Sequence, residues 1–163
     1  MFLEEIFKEV SLTDITKVQI WEVEQEVQQI AFEVEEQFQH IFKSQSYTLQ
    51  IDFNRFDVSA KSFPECPKLS KEQCMQPHYC SAISVAVTDL DGNLIGEEEE
   101  GYLIGEGLTI WEVDKSFLGF VVNEKFPFGS SKGYILSISH TEIKKLLEDD
   151  VYYLAQELNI EVS

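Results

Sequence analysis

Positive charge is what this sequence has least of. Lys and Arg number 12 against 30 Asp and Glu, a formal charge of −18 at pH 7, and between Glu72 and Asp114 there is no lysine or arginine at all. A chain so charged repels the phosphates of DNA and RNA and gains nothing from an anionic bilayer surface, so nucleic acid and membrane are excluded as expected partners. Long apolar runs are missing as well. No stretch approaches the roughly 20 apolar residues that span a bilayer. Met1-Phe2-Leu3-Glu4-Glu5 has neither the basic start nor the apolar centre of a signal peptide. Cysteine is scarce and odd in number, 3 in all. In a chain without an export signal that points to reduced thiols and a cytoplasmic location. Proline occurs 4 times, and Pro64, Pro67 and Pro77 all fall within Ser59 to Tyr79. Internal repeats are absent.

What is present is the composition of a globular protein, 44% hydrophobic and 12% aromatic. The 163 residues fit one domain, 1–163, able to bury about 70% of the surface of its unfolded chain. Phe2, Leu3, Ile6, Phe7 and Val10 recur at helical spacing and predict a short helix over 2–9. Ser11 or Thr13 is the candidate N-cap for a long second helix ending near Lys43. Its apolar stripe is Ile20, Val23, Val27, Ile30, Val34, Phe38 and Ile41, with Glu22, Glu24, Glu26, Glu33, Glu35 and Glu36 placed toward water. The β-branched residues and Trp21 within Ile15 to Val23 leave open a strand before a later helix start. Leu49, Ile51 and Phe53 alternate with polar residues as a half-buried strand, which Phe56 and Val58 extend after a break at Asn54-Arg55.

The chain centres on Ser81 to Ser139, a glycine-punctuated strand meander interrupted by Glu97 to Glu100. Ile83, Val85 and Val87 open it, and Asp91-Gly92-Asn93 is a tight-turn signal. Further strands are expected at Tyr102 to Ile104, Leu108 to Val113, Phe117 to Val122 and Tyr134 to Ser139. Ser139-His140-Thr141-Glu142 is a capping box opening a last helix with Ile143, Leu146, Leu147, Val151, Leu154 and Leu158 on one face. The expected fold is therefore α+β: a short and a long N-terminal helix, a mostly antiparallel curved sheet of about six or seven strands in a meander, and a C-terminal helix packed on one face.

Chemistry is harder to find. Cys66, Cys74, His78 and Cys80 carry zinc-type ligands, but their gaps lack the close C-x2-C pairs of structural sites. They read as reduced cysteines of a surface loop and a strand edge, with a Cys66–Cys74 or Cys66–Cys80 disulfide as the oxidised alternative. Asp89-Leu90-Asp91-Gly92-Asn93 resembles part of a calcium loop, yet Val87 falls where a carboxylate is required, and a hairpin turn fits better. His40, His78 and His140 stand in no nucleophile signature. Gly129-Ser130-Ser131-Lys132-Gly133 lacks the order of a phosphate loop and reads as a connection above Phe126-Pro127-Phe128. No cofactor, metal or catalytic residue is expected.

The acidity itself remains to be explained. Dispersed charge would suffice for solubility, whereas adjacent glutamates repel one another. Asp89, Asp91, Glu97, Glu98, Glu99, Glu100, Glu106 and Glu112 are therefore the candidate binding residues, forming a docking face that steers a basic protein. In size, charge and lack of catalytic motifs the chain resembles bacterial toxin-immunity proteins. That resemblance implies a non-enzymatic inhibitor occluding the cationic cleft of a cognate nuclease-type toxin. Two other classes stay open. One is an acidic secretion chaperone acting as a homodimer through its helical stripes. The other is a ligand-binding cup lined by Phe53, Trp111 and Phe120. Monomer and homodimer are undecided.

Overall fold

A computed structural model of the chain describes residues 6–59, 65–114 and 132–162. In chain order the elements are β1 (Phe7–Ser11), α1 (Lys17–Ser44), β2 (Tyr47–Asp57), a single 3-10 turn (Lys71–Gln73), β3 (Tyr79–Asp89), β4 (Gly96–Glu97), β5 (Gly101–Tyr102), β6 (Leu108–Val113), β7 (Lys132–Leu136) and α2 (His140–Glu157). Five strands form one sheet in the order β1-β7-β6-β3-β2, and β4 and β5 form a separate antiparallel ribbon. Strands β2, β3, β6 and β7 thus follow one another as a meander, and β1 is added beside the last of them.

The α+β class and mostly antiparallel sheet agree with the sequence reading, but two details need correction. Among the described residues there are two helices rather than three, and seven strands lie in two sheets rather than one. Of the helix expected over 2–9, residues 2–5 fall outside the described residues, and Phe7 to Glu9 lie in strand β1, which pairs antiparallel with β7 from Phe7 opposite Leu136 to Ser11 opposite Lys132. The apolar spacing suited a helix. What it could not contain is β7, whose open edge takes up the N-terminal segment. Lys132 Nζ lies 2.6 Å from Glu9 Oε1 across that pair, and holds the Glu9 carboxyl below its usual range through a hydrogen bond and opposite charge. The expected strand Phe117 to Val122, Phe126 to Phe128 and most of the segment Gly129 to Gly133 fall outside the described residues.

Two compact units partition the chain. The first comprises Met1–Glu26, Asn54–Ala82 and Thr109–Ile138, the second Val27–Phe53, Ile83–Leu108 and Ser139–Ser163. In the first, Ile20, Cys74, Tyr79, Trp111, Val113 and Ile135 form a buried cluster, flanked by Val10, Leu12 and Trp21. The Trp111 indole is wholly buried and donates to Cys74 O at 2.7 Å. Gly133, opposite Val113 in the β6–β7 register, leaves room for that ring: a Cβ there would run into Trp111 Cη2. Helix α1 starts at Lys17 and is capped by Thr16, not by Ser11 or Thr13. Thr16 Oγ1 accepts from Gln19 N at 3.2 Å while Gln19 Oε1 accepts from Thr16 N at 2.8 Å.

In the second unit Val27, Ile30, Val34, Phe38 and Phe42 of α1 are buried, as are Ile143, Leu147, Val151 and Leu154 of α2. Ser139 caps α2 as its sequence implies, accepting from Glu142 N at 3.2 Å. Two polar side chains of α1 serve the backbone of β2, the last strand in the sheet order. Gln39 Nε2 donates to Leu49 O at 2.7 Å while Gln39 Oε1 accepts from Leu49 N at 2.8 Å. Glu35 Oε1 accepts from Ile51 N at 3.0 Å. Strand β2 itself runs unbroken through Asn54-Arg55.

Candidate functional site

The candidate binding residues of the second unit sit on one excursion of the chain between β3 and β6. Two turns build it. At the first, Asp89 N donates to Asn93 O at 2.8 Å, and Asp89 Oδ1 accepts from the amides of Asp91 and Asn93, each at 2.9 Å. Hydrogen bonds from Asn93 above all hold the Asp89 carboxyl below its usual range. Asp89 is thus a turn-forming residue whose carboxylate is engaged locally, in the manner of an Asx turn. Asp91 is exposed. The second turn is Glu97 to Glu100, closed by Glu100 N donating to Glu97 O at 3.1 Å and framed by β4 and β5. All four carboxylates stand exposed at the end of a two-stranded ribbon. The return limb rejoins β3 through Ile104 opposite Ala86 and Gly105 N donating to Val85 O at 2.8 Å.

Apolar side chains lie exposed among these acids. Leu90 is 65% exposed, Ile104 55%, Tyr102 44% and Leu94 40%. Single exposed apolar residues are unremarkable, but here four occur along one short excursion, interleaved in the chain with carboxylates. Charge placed for solubility alone would not bring apolar surface with it. Glu106 is exposed and its amide donates to Asp150 Oδ1 at 3.0 Å, while Gly107 N donates to Asp150 Oδ2 at 2.8 Å. Burial pushes the Asp150 carboxyl up despite those two amides. Glu112 belongs to the first unit instead, on β6 opposite Tyr134, and is no part of the excursion.

The first unit holds a polar centre that the sequence reading placed in water. Glu24 is only 1% exposed. Its Oε1 lies 3.1 Å from Arg55 Nη2, and its Oε2 accepts from the Tyr79 hydroxyl at 2.5 Å. Burial, with the neighbouring Glu24 carboxylate, drives the Tyr79 phenol far above its ordinary value. Two signals were there to be read. Glu24 falls between Ile20 and Val27 on a 20-24-27-31-34-38 stripe, and Arg55 is the only arginine in the chain. Glu24 bridges Arg55 and Tyr79 through its two oxygens, so the centre reads as a polar pin in a core.

The cysteines depart from the surface position expected of them. Cys74 and Cys80 are buried, Cys66 is half-buried, and none of the three is in a disulfide. Burial first, and Glu24 second, raise the Cys74 thiol. Among the described residues no group of three or more His, Cys, Asp or Glu is placed to hold a metal ion. His40 and His140 are exposed, the latter 3.9 Å from Glu33. Trp111, expected to line a cup, is core, and Phe120 falls outside the described residues. No helix among the described residues is long and apolar enough to cross a membrane. Compared with family models, curated proteins and solved structures, the chain matches none.

Proposed function

We propose that the protein is a non-enzymatic binding protein whose excursion Asp89 to Gly107 docks on a basic protein partner. The observation that carries the reading is the interleaving of Leu90, Leu94, Tyr102 and Ile104 with Asp91, Glu97, Glu98, Glu99 and Glu100 on one exposed excursion. Carboxylates steer a cationic surface into encounter, and apolar side chains then supply the desolvated contact that slows departure. Within this class, the charge of −18 fits an immunity-type inhibitor, which would cover the cationic cleft of a nuclease-like toxin in the bacterial cytoplasm. An anionic plug suits such a cleft, and the two-stranded ribbon ends in the four carboxylates Glu97 to Glu100.

The test separates the two contributions. Against a cognate basic partner, changing Glu97 to Glu100 to Gln lowers the association rate by roughly ten-fold or more at low salt and flattens its salt dependence. Tyr102→Ala leaves association nearly unchanged and speeds dissociation. Unchanged kinetics in both variants would remove the excursion from the binding face. A homodimeric escort would use the apolar stripes of α1 and α2 as its surface, although Val27, Ile30, Val34 and Phe38 of the first and Ile143, Leu147, Val151 and Leu154 of the second are buried.

A further inference from the structure

We propose that a groove in the second unit, between the return limb of the excursion and α2, receives an arginine side chain of the basic partner; the proposal rests on the binding function above. The groove has a volume of about 480 Å³ and is bounded by Ile104 to Glu106 on one side and by Leu146, Asp149, Asp150 and Tyr153 on the other. Its floor is held by Asp150, both of whose carboxylate oxygens accept limb amides. Gly105 allows that approach, because a Cβ there would sit 2.9 Å from the Asp150 carboxyl carbon. Asp150 is therefore spent on the scaffold.

The walls and rim define the guest. Ile104 is 55% exposed and Tyr153 48% exposed, and with Leu146 they offer apolar and aromatic surface. Glu106 and Asp149 add exposed carboxylates. Asp149 faces Lys145 at 3.9 Å, a solvent-exposed pair one turn apart that a better-placed cation displaces readily. A neutral apolar guest would leave the carboxylates desolvated, and an anion would be repelled. A guanidinium on an aliphatic stem satisfies both sets of groups: the stem lies against Ile104 and Leu146, and the planar head stacks on Tyr153 while meeting a carboxylate. An ammonium is more strongly hydrated and meets a carboxylate without the planar fork, so lysine is the poorer guest.

The probe is the peptide acetyl-Gly-Arg-Gly-amide, titrated into the full-length, isotope-labelled chain at about 0.15 M salt, where long-range attraction is screened beyond about 8 Å. Amide shifts centred on Gly105, Glu106 and Tyr153 are expected, with the arginine peptide binding several-fold more tightly than its lysine counterpart and the citrulline counterpart not binding. Tyr153→Ala weakens it roughly three- to five-fold, as loss of an exposed cation–π contact does, and Tyr153→Phe restores it. The Glu97–Glu100 to Gln variant leaves it within about two-fold, since those carboxylates form the ribbon turn rather than the groove. Shifts centred on Glu97 to Glu100 without preference between arginine and lysine would overturn the groove and leave the basic-partner reading standing. Failure of both this peptide and an arginine-rich decapeptide to bind would overturn both.

Discussion

Replacing Arg55 by methionine strips the buried Glu24 carboxylate of its counter-charge. At a separation of 3.1 Å, with an effective dielectric of 20, the direct attraction is about 5 kcal/mol. Desolvation of the two ions opposes most of that, so the intact pair contributes little net stability. The single substitution is different, because the carboxylate stays in place with its desolvation uncompensated. Such truncations cost about 3–5 kcal/mol. Arg55 is 24% exposed, so water can reach part of the site and the expected loss falls at the lower end, about 3 kcal/mol. Tyr79→Phe removes a hydrogen bond to a charged group and should cost about 1.5–3 kcal/mol. The decisive variant is the triple Glu24→Leu, Arg55→Met, Tyr79→Phe. It removes the three polar side chains of the centre together and should recover to within about 1–2 kcal/mol of the parent.

Urea unfolding at pH 7 followed by tryptophan fluorescence measures all of these on one scale. Tyr79 adds a pH signature. Its folded-state value is raised above that of the unfolded chain. The stability it contributes is therefore fully present below about pH 10, the unfolded phenol value, and is lost as pH rises beyond it. Tyr79→Phe should remove that alkaline component. An Arg55→Met variant within about 1 kcal/mol of the parent, or a triple variant no more stable than the singles, would refute the account of a charged pin.

Two further outcomes are expected. Gly133→Ala drives a methyl group into the Trp111 ring and should destabilise the chain by at least about 1–3 kcal/mol, read from the unfolding midpoint with a changed near-ultraviolet tryptophan signal. An unaltered midpoint would mean that Trp111 has room to move. With a thiol-specific reagent, Cys66 should react first, while Cys74 and Cys80 should react only on unfolding, since they are buried and the Cys74 thiol is raised. Equal rates for all three cysteines in the native protein would contradict their placement.

How far the sequence could be read depended on whether the deciding contact was local. The Ser139 cap lies within four residues and was legible in full, as was the alternation Ile83, Val85, Val87 that buries one face of β3. The Asp89 turn was legible for the same reason. Strand β1 was not, because its partner β7 lies more than a hundred positions along the chain and the local pattern suited a helix equally well. Glu24 was misplaced because helical charge is normally solvated, and it is Arg55 and Tyr79, on other elements, that make its burial tolerable. The acidic turns were visible from composition. That Leu90, Leu94, Tyr102 and Ile104 stay exposed among them was not, since periodicity does not say which apolar residues go uncovered.

The hydrogen bonds from Gln39 and Glu35 to β2 have a consequence for how this protein can associate. An outermost strand ordinarily offers its free amides and carbonyls to any extended chain that comes alongside. The Leu49 amide and carbonyl and the Ile51 amide are already taken by side chains of α1. A second polypeptide could join there only by displacing them, which closes that margin of the sheet to strand exchange and fibre growth. A molecule protected in this way can carry exposed apolar side chains on its excursion with less danger of pairing with its own kind along β2. Its stickiness is confined to a place where charge decides who may approach.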